Sequence, residues 1–117
     1  MKVYTLNFYG KNYNIGLAKG NYMNNGTLAV LMFITTPKGK IKEDFGDLTT
    51  NIGESWLIAN ETDKQFVDTN NLGKEITKWL VKNKIAKPTG EYGHSGYCSY
   101  PLFQFTQEAL NGMDTLE

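Results

Sequence analysis

The stretch "TLAVLMFITT", residues 27–36, decides the fold class because it is apolar on both faces of an extended chain. A half-buried strand alternates apolar and polar residues, whereas a strand covered on both sides is a continuous apolar run. Residues 27–36 therefore predict a central β-strand.

Turn signals flank this strand on both sides. Asn25–Gly26 precedes it and predicts a type I′ hairpin, in which both central residues need a positive φ. "TPKG" (36–39) follows it with proline at the second position, which predicts a type I turn. Farther out, "VYTLNFY" (3–9) alternates with period two, and "DFGDLTTNI" (44–52) predicts a returning strand. The first half of the chain therefore predicts a meander of about four strands.

The second half contains one helix signal, "NLGKEITKWLVKN" (71–83). Its apolar residues recur at helical spacing and include Trp79, while Lys74, Lys78 and Lys82 occupy the opposite face, the arrangement of an ordinary solvated helix surface. Asn71 is the predicted N-cap of a helix over Leu72–Asn83.

The predicted fold is therefore a single α+β domain over residues 1–117. It is an antiparallel β-sheet, a meander of about four to six strands, with one main amphipathic α-helix packed on one face. Trp79 should be largely buried on that sheet, and its candidate neighbours are Leu6, Phe8, Val30 and Met32.

The segment "GHSGYCSYPLFQF" (93–105) places the single histidine, His94, close to Ser95 and to the single cysteine, Cys98. A thiol–imidazole pair needs contact within about 3–4 Å. Four extended residues span about 13 Å, and the surrounding glycines with Pro101 disfavour a helix that would shorten this distance. We interpret the segment as a glycine-shaped loop leading into the strand "YPLFQF" (100–105), with no catalytic residue; a turn at Gly96 leaves a small hydrolase using Cys98 and His94 as the alternative.

No metal or cofactor motif is recognised. One histidine and one cysteine are too few for a zinc site, and "DTNNLG" (68–73) departs from a calcium loop at Leu72 and Trp79. The segment "GEYGHSG" (90–96) fits neither a dinucleotide fingerprint nor a P-loop.

All twelve basic residues are lysine, and the formal net charge is zero. Without arginine, the residue that forms bidentate contacts with phosphates and guanine edges, direct nucleic-acid binding is disfavoured. No apolar run is long enough to span a bilayer, and "MKVYTLNFYG" (1–10) lacks the apolar core of a signal peptide. We expect a cytoplasmic protein.

The charges are segregated along the chain. Residues 1–42 contain lysines and no acids, whereas residues 43–68 contain a single lysine, Lys64, and seven acids: Glu43, Asp44, Asp47, Glu54, Glu61, Asp63 and Asp68. Folding could interleave these charges into a mixed surface. If it does not, the seven acids predict an acidic surface that binds a basic groove on a partner protein.

Three stretches carry a family resemblance: "FGDLTTNI" (45–52), "FVDTNNL" (66–72) and "GEYGHSGYCSYPLFQF" (90–105). Over about residues 45–105 the chain resembles the uncharacterised domain-of-unknown-function family 4313. The resemblance implies carriage on phages, plasmids and conjugative elements, and it implies no reaction. We therefore expect a small non-enzymatic inhibitor of a host defence system, anti-CRISPR-like, which binds a Cas nuclease or its guide-RNA complex. An accessory protein of plasmid transfer or replication is the alternative.

Overall fold

The computed structural model describes residues 1–116 and, within them, nine strands arranged in two sheets. The first sheet is an antiparallel meander of four strands, to which a short fifth strand adds in parallel beside β2. These strands are β1 (Tyr4–Phe8), β2 (Lys11–Asn21), β3 (Leu28–Thr35), β4 (Ile41–Asp47) and β9 (Asp114–Thr115).

The second sheet is antiparallel, with the strand order β5-β6-β8-β7. It consists of β5 (Thr49–Thr50), β6 (Lys64–Val67), β7 (Ala86–Ser95) and β8 (Cys98–Phe105). The helical segments are a 3₁₀ helix (Gly53–Ile58), α1 (Thr69–Leu72), α2 (Glu75–Lys82) and α3 (Gln107–Asn111). Antiparallel strands with few, short helices agree with the predicted α+β class.

The central strand and the meander are confirmed, but the prediction of one sheet is wrong. The predicted strand 44–52 is divided at Leu48, which is fully buried. The Leu48 amide donates to the Val30 carbonyl in the first sheet, and the Leu48 carbonyl accepts from the Asp68 amide beside the second. The chain therefore passes from one sheet to the other at this residue.

The main core lies between the two sheets and α2. The largest buried cluster includes Leu6, Val30 and Met32 from the first sheet, Phe105 from the second, and Trp79 from α2. Trp79 is 8% exposed, as predicted. Its ring packs edge-on against Tyr4, with centroids 5.9 Å apart.

Gln65 of β6 joins the two sheets by hydrogen bonds inside the protein. Its side-chain amide donates to the hydroxyl of Thr27 (3.0 Å), just before β3, and to the carbonyl of Leu28 (2.8 Å), the first residue of β3. Its side-chain oxygen accepts from the Phe66 amide (3.0 Å) and from the hydroxyl of Ser55 (3.4 Å). Gln65 is fully buried, and these bonds satisfy its polar atoms.

The helix predicted over Leu72–Asn83 is not confirmed as one element. The chain forms the single turn α1, then the eight-residue α2, and between them Gly73 adopts a φ of +81°. The predicted cap is also corrected: the Asp68 carboxylate accepts from the Asn71 amide at 3.2 Å, so Asp68 is the N-cap. Asn71 lies inside α1 and donates to that cap.

The hairpin turns differ from the prediction at one point. Between β2 and β3, Gly26 alone has a positive φ (+70°), so Asn25–Gly26 is not a type I′ turn. That conformation lies instead between β1 and β2, where Tyr9 (φ +51°) and Gly10 (φ +79°) are both left-handed. The predicted turn at residues 36–39 is present, with the Gly39 amide donating to the Thr36 carbonyl over 2.9 Å.

Candidate functional site

Three of the seven acids lie on strand β4, which is an edge strand because β3 is its one neighbour within the described residues. Glu43, Asp44 and Asp47 are all exposed, and none forms an ion pair with another residue between 1 and 116. We call these three residues the acidic edge.

The register of β4 shows which of these side chains share a face. Asp44 lies opposite Phe33 and Asp47 lies opposite Leu31, whereas Glu43 lies opposite Ile34. Because neighbouring residues of a strand point to opposite faces, Asp44 and Asp47 share the outer face of the first sheet and Glu43 points to the other face.

The outer face beside the acidic edge carries partly exposed apolar side chains. Leu31 and Phe33 are both half-buried there. Asp44 and Asp47 line a shallow depression of about 250 Å³ together with Leu31. A carboxylate pair beside an apolar patch resembles the layout of a protein interface, in which polar groups surround an apolar centre.

Two irregularities in the pairing shape the acidic edge. The register between β3 and β4 shifts between Met32 and Phe33 and again between Ile34 and Thr35, so β4 contains extra residues at both places. Bulges of this kind twist and bend an edge strand. The side-chain directions of the acidic edge therefore depend on these shifts, which the sequence gives no means to predict.

Asp68 belongs to the predicted acidic set but is buried. It is 8% exposed, and both of its carboxylate oxygens accept from Asn71, at 3.2 Å from the amide and 2.8 Å from the side chain. Near it, burial is the main cause that raises the pKa of Tyr22, and the negative charges of Asp47 and Asp68 add to the effect. Asp68 is thus engaged within the fold.

The other three acids make separate contacts. Glu61 pairs with Lys64 (3.6 Å), and Asp63 accepts from the side chain of Gln104 (2.9 Å). Glu54, on the 3₁₀ helix, accepts from the main-chain amide of His94 at 3.0 Å and lies 3.7 Å from the His94 ring nitrogen Nδ1. Each of these three acids therefore has a partner within the chain, and none of them lies on β4.

The segment around His94 and Cys98 is a tight hairpin, so the prediction of a loop is wrong, whereas the predicted strand at residues 100–105 is confirmed as part of β8. Residues 86–95 and 98–105 are paired strands, and Gly96 (φ +61°) forms the turn between them. His94 pairs with Ser99 and Ser95 with Cys98. Strand alternation therefore directs the His94 and Cys98 side chains to opposite faces.

Separate partners engage these two side chains. His94 contacts Glu54, whereas the Cys98 sulfur lies 3.6 Å from the side-chain oxygen of Asn70. Within residues 1–116 the structure shows no thiol–imidazole contact of the kind that a cysteine nucleophile requires, and no cluster of metal-ligating side chains.

These features define a small α+β protein made of two predominantly antiparallel sheets, with an acidic edge strand. The chain belongs to the family described as domain of unknown function DUF4313, whose sequence profile matches residues 16–116. The match begins inside β2 and extends beyond the region of residues 45–105 that carries the resemblance. No curated protein and no solved structure matches the chain. Among the described residues, no helix combines the length and the apolar character needed to cross a membrane.

Proposed function

We propose that the protein is a non-enzymatic inhibitor of a host defence nuclease, anti-CRISPR-like, that binds a Cas nuclease or its guide-RNA complex. In this proposal the acidic edge occupies a basic surface on which the nuclease holds nucleic acid. The carriage on mobile elements that the family resemblance implies is part of the proposal.

The observation that supports this proposal most is the exposure of unpaired carboxylates on an edge strand. Glu43, Asp44 and Asp47 have no lysine partner among residues 1–116. A partner's basic groove would supply the missing countercharges, and such complementarity steers association.

A second structural observation indicates which face of the sheet a partner would contact. Asp44 and Asp47 share a face with the half-buried Leu31 and Phe33. A partner that contacts this face would bury apolar area in addition to pairing charge, and that burial contributes affinity that charge alone does not.

Charges on an edge strand can also have a purely protective role, because they prevent strands of neighbouring molecules from pairing. The two roles make different predictions. A protective charge can be replaced by a charge of the opposite sign, whereas a charge that binds a basic groove cannot.

The experiment is therefore a charge reversal followed by capture from host lysate. The variant carries Glu43→Lys, Asp44→Lys and Asp47→Lys, and the control carries Glu91→Lys, Glu108→Lys and Asp114→Lys. The control acids are also exposed, and the net change in charge is the same. Circular dichroism and size-exclusion chromatography check that both variants fold and remain monodisperse.

We expect the wild type and the control to capture a Cas nuclease with its guide RNA and to inhibit DNA cleavage by the purified nuclease. The acidic-edge variant should do neither. Capture of plasmid-transfer or replication proteins instead would favour the accessory role, and full inhibition by the acidic-edge variant would refute the proposed surface.

A further inference from the structure

A groove of about 800 Å³ lies between α2 and the β7–β8 hairpin, on a part of the molecule separate in sequence from the acidic edge. One wall carries three lysines: Lys74, which is the N-cap of α2, and Lys78 and Lys82, which lie on α2 itself. The sequence predicts these lysines on the solvated face of a helix. In the structure the β7–β8 hairpin lies beside that face, so the lysines line one side of a groove.

The opposite side of the groove is apolar and aromatic. Two cross-strand pairs form it, Tyr92 with Pro101 and Pro88 with Phe103. Tyr92 is 62% exposed, whereas Phe103 is buried and forms part of the floor. Val81 of α2, which is 50% exposed, adds apolar surface between the lysines and the sheet.

The charge in the groove is of one sign. Among the described residues that line it, none is acidic. Lys78 contacts Glu75 over 3.3 Å, but both side chains are largely exposed, and such pairs are weak. The groove therefore combines a net positive charge with exposed apolar surface, and its volume lies within the usual range of ligand-binding pockets.

The spacing of the lysines indicates the shape of the ligand. Side chains four positions apart on a helix rise by about 6 Å, so the three lysines form a nearly straight row. Every second side chain of an extended peptide is about 6.6–6.8 Å from the next and points to the same side. Carboxylates at alternate positions of an extended peptide thus match the lysine row.

The geometry points to a docking site for an extended acidic peptide segment of a partner protein. Its alternate carboxylates contact Lys74, Lys78 and Lys82, and the intervening apolar side chains contact Tyr92 and Pro88. This site is independent of the acidic edge, and it requires a partner segment of the opposite charge to the surface that the acidic edge would bind.

The test uses the whole protein and a short synthetic peptide with glutamate at every second position and leucine and serine between. Fluorescence anisotropy of the labelled peptide measures the affinity. We expect binding that weakens as salt rises. A peptide with glutamine in place of each glutamate should not bind.

Two pairs of variants locate the binding site. Lys74→Gln, Lys78→Gln and Lys82→Gln together should weaken binding at least about tenfold, because three charge contacts are removed at once. The matched control Lys38→Gln, Lys40→Gln and Lys42→Gln should change affinity by less than about twofold, because exposed pairs elsewhere contribute little. Tyr92→Ala should weaken binding, whereas alanine at Tyr97, a fully exposed tyrosine at the hairpin turn, should not.

Several results would overturn the inference. They are the absence of binding at millimolar peptide, equal binding of the glutamine peptide, and equal effects of the two lysine variants. Tighter binding of single-stranded DNA through the same lysines would assign the groove to nucleic acid. Self-association that the groove variant abolishes would assign it to the acidic edge of a second copy. The Glu43→Lys, Asp44→Lys, Asp47→Lys variant should bind the peptide normally, so failure of this site is distinguishable from failure of the proposed function.

Discussion

The indole nitrogen of Trp79 donates a hydrogen bond to the main-chain carbonyl of Thr5 over 2.8 Å. Thr5 lies on β1, an edge strand of the first sheet, and Trp79 lies on α2, which the chain reaches more than seventy residues later. The bond satisfies an edge carbonyl and fixes the position of α2, whose lysines form the wall of the groove. The Trp79 side chain thereby connects the edge of the first sheet, the core, and the helix whose lysines line the groove.

Replacing Trp79 by phenylalanine tests this connection. The substitution keeps an aromatic ring near Tyr4 but removes the donor, and we expect a loss of about 1–2 kcal/mol in the free energy of unfolding. Trp79→Ala should cost about 3–5 kcal/mol, because it also leaves a cavity. Urea unfolding followed by circular dichroism measures both values. No loss in Trp79→Phe would show that the hydrogen bond does not contribute separately.

Gln65 provides a second test, because it connects the sheets. Gln65→Leu has similar volume but leaves the Leu28 carbonyl, the Phe66 amide and the Thr27 hydroxyl without this partner inside the protein. We expect a loss of about 2–4 kcal/mol. Gln107→Leu is the control: Gln107 is exposed and bonds only to Asn111 among the described side chains, so its loss should stay within about 0.5 kcal/mol. Similar losses for both variants would contradict a bridging role for Gln65.

Tyr22 predicts how stability changes at alkaline pH. Burial, the main cause, raises its pKa above the ordinary value of 10.0, and the hydroxyl contacts the Thr49 hydroxyl over 3.0 Å. In the unfolded chain this tyrosine ionises near the ordinary value, while in the folded protein it keeps its proton to a higher pH. The folded state therefore binds more protons above about pH 10, and its stability must fall as pH rises from there towards the raised pKa.

The measurement compares the free energy of unfolding at about pH 9 and about pH 11, on either side of the ordinary tyrosine pKa. The loss between these values should be smaller in Tyr22→Phe than in the wild type. Tyr97→Phe, which alters a fully exposed tyrosine, should lose as much as the wild type. An equal loss in Tyr22→Phe would show that burial of Tyr22 does not cause the decline.

The hairpin residues His94 and Cys98 carry a prediction about function. Because their side chains point to opposite faces and contact Glu54 and Asn70 respectively, Cys98→Ser and His94→Ala should retain full partner binding and inhibition. Serine can keep the contact with Asn70, so the change in stability should be within about 0.5 kcal/mol. Complete loss of inhibition in a well-folded Cys98→Ser protein would support the hydrolase alternative.

The sequence predicts those parts of the fold that depend on local pattern. Strand β3 is predictable because a continuous apolar run of this length is typical of a strand that is covered on both faces. Burial of Trp79 follows from the helical spacing of its neighbours. The crossing from one sheet to the other at Leu48 has no local signal, because it depends on hydrogen bonds to Val30 and Asp68, both remote in sequence.

The candidate site, like the fold, is predictable from the sequence only where local pattern determines it. Exposure of Glu43, Asp44 and Asp47 follows from their position after a turn, but their faces depend on two register shifts against β3. Asp68 directly precedes α1, and its carboxylate accepts a hydrogen bond from the Asn71 amide, so it caps the helix. Asn71 is also a residue type that caps helices, and the sequence alone therefore predicts the cap at the wrong one of the two. The lysine groove requires α2 and the β7–β8 hairpin to be adjacent, and no pattern within either element indicates that.

The acidic edge predicts a specific kinetic effect on the captured nuclease. Exposed opposite charges are screened over about 8–10 Å near physiological ionic strength, so association should slow as salt rises. Reversal of Glu43, Asp44 and Asp47 to lysine should slow association at least about tenfold, with a smaller change in dissociation, because peripheral charges steer encounter more than they hold a formed complex. Surface plasmon resonance at several salt concentrations separates the two rates, and the Glu91, Glu108 and Asp114 reversal serves as the control.

If reversal of Lys74, Lys78 and Lys82 slows association while the acidic-edge reversal does not, the nuclease contacts the lysine groove instead. If neither reversal matters and salt has no effect, the contact is apolar, and the proposed role of the acidic edge is wrong.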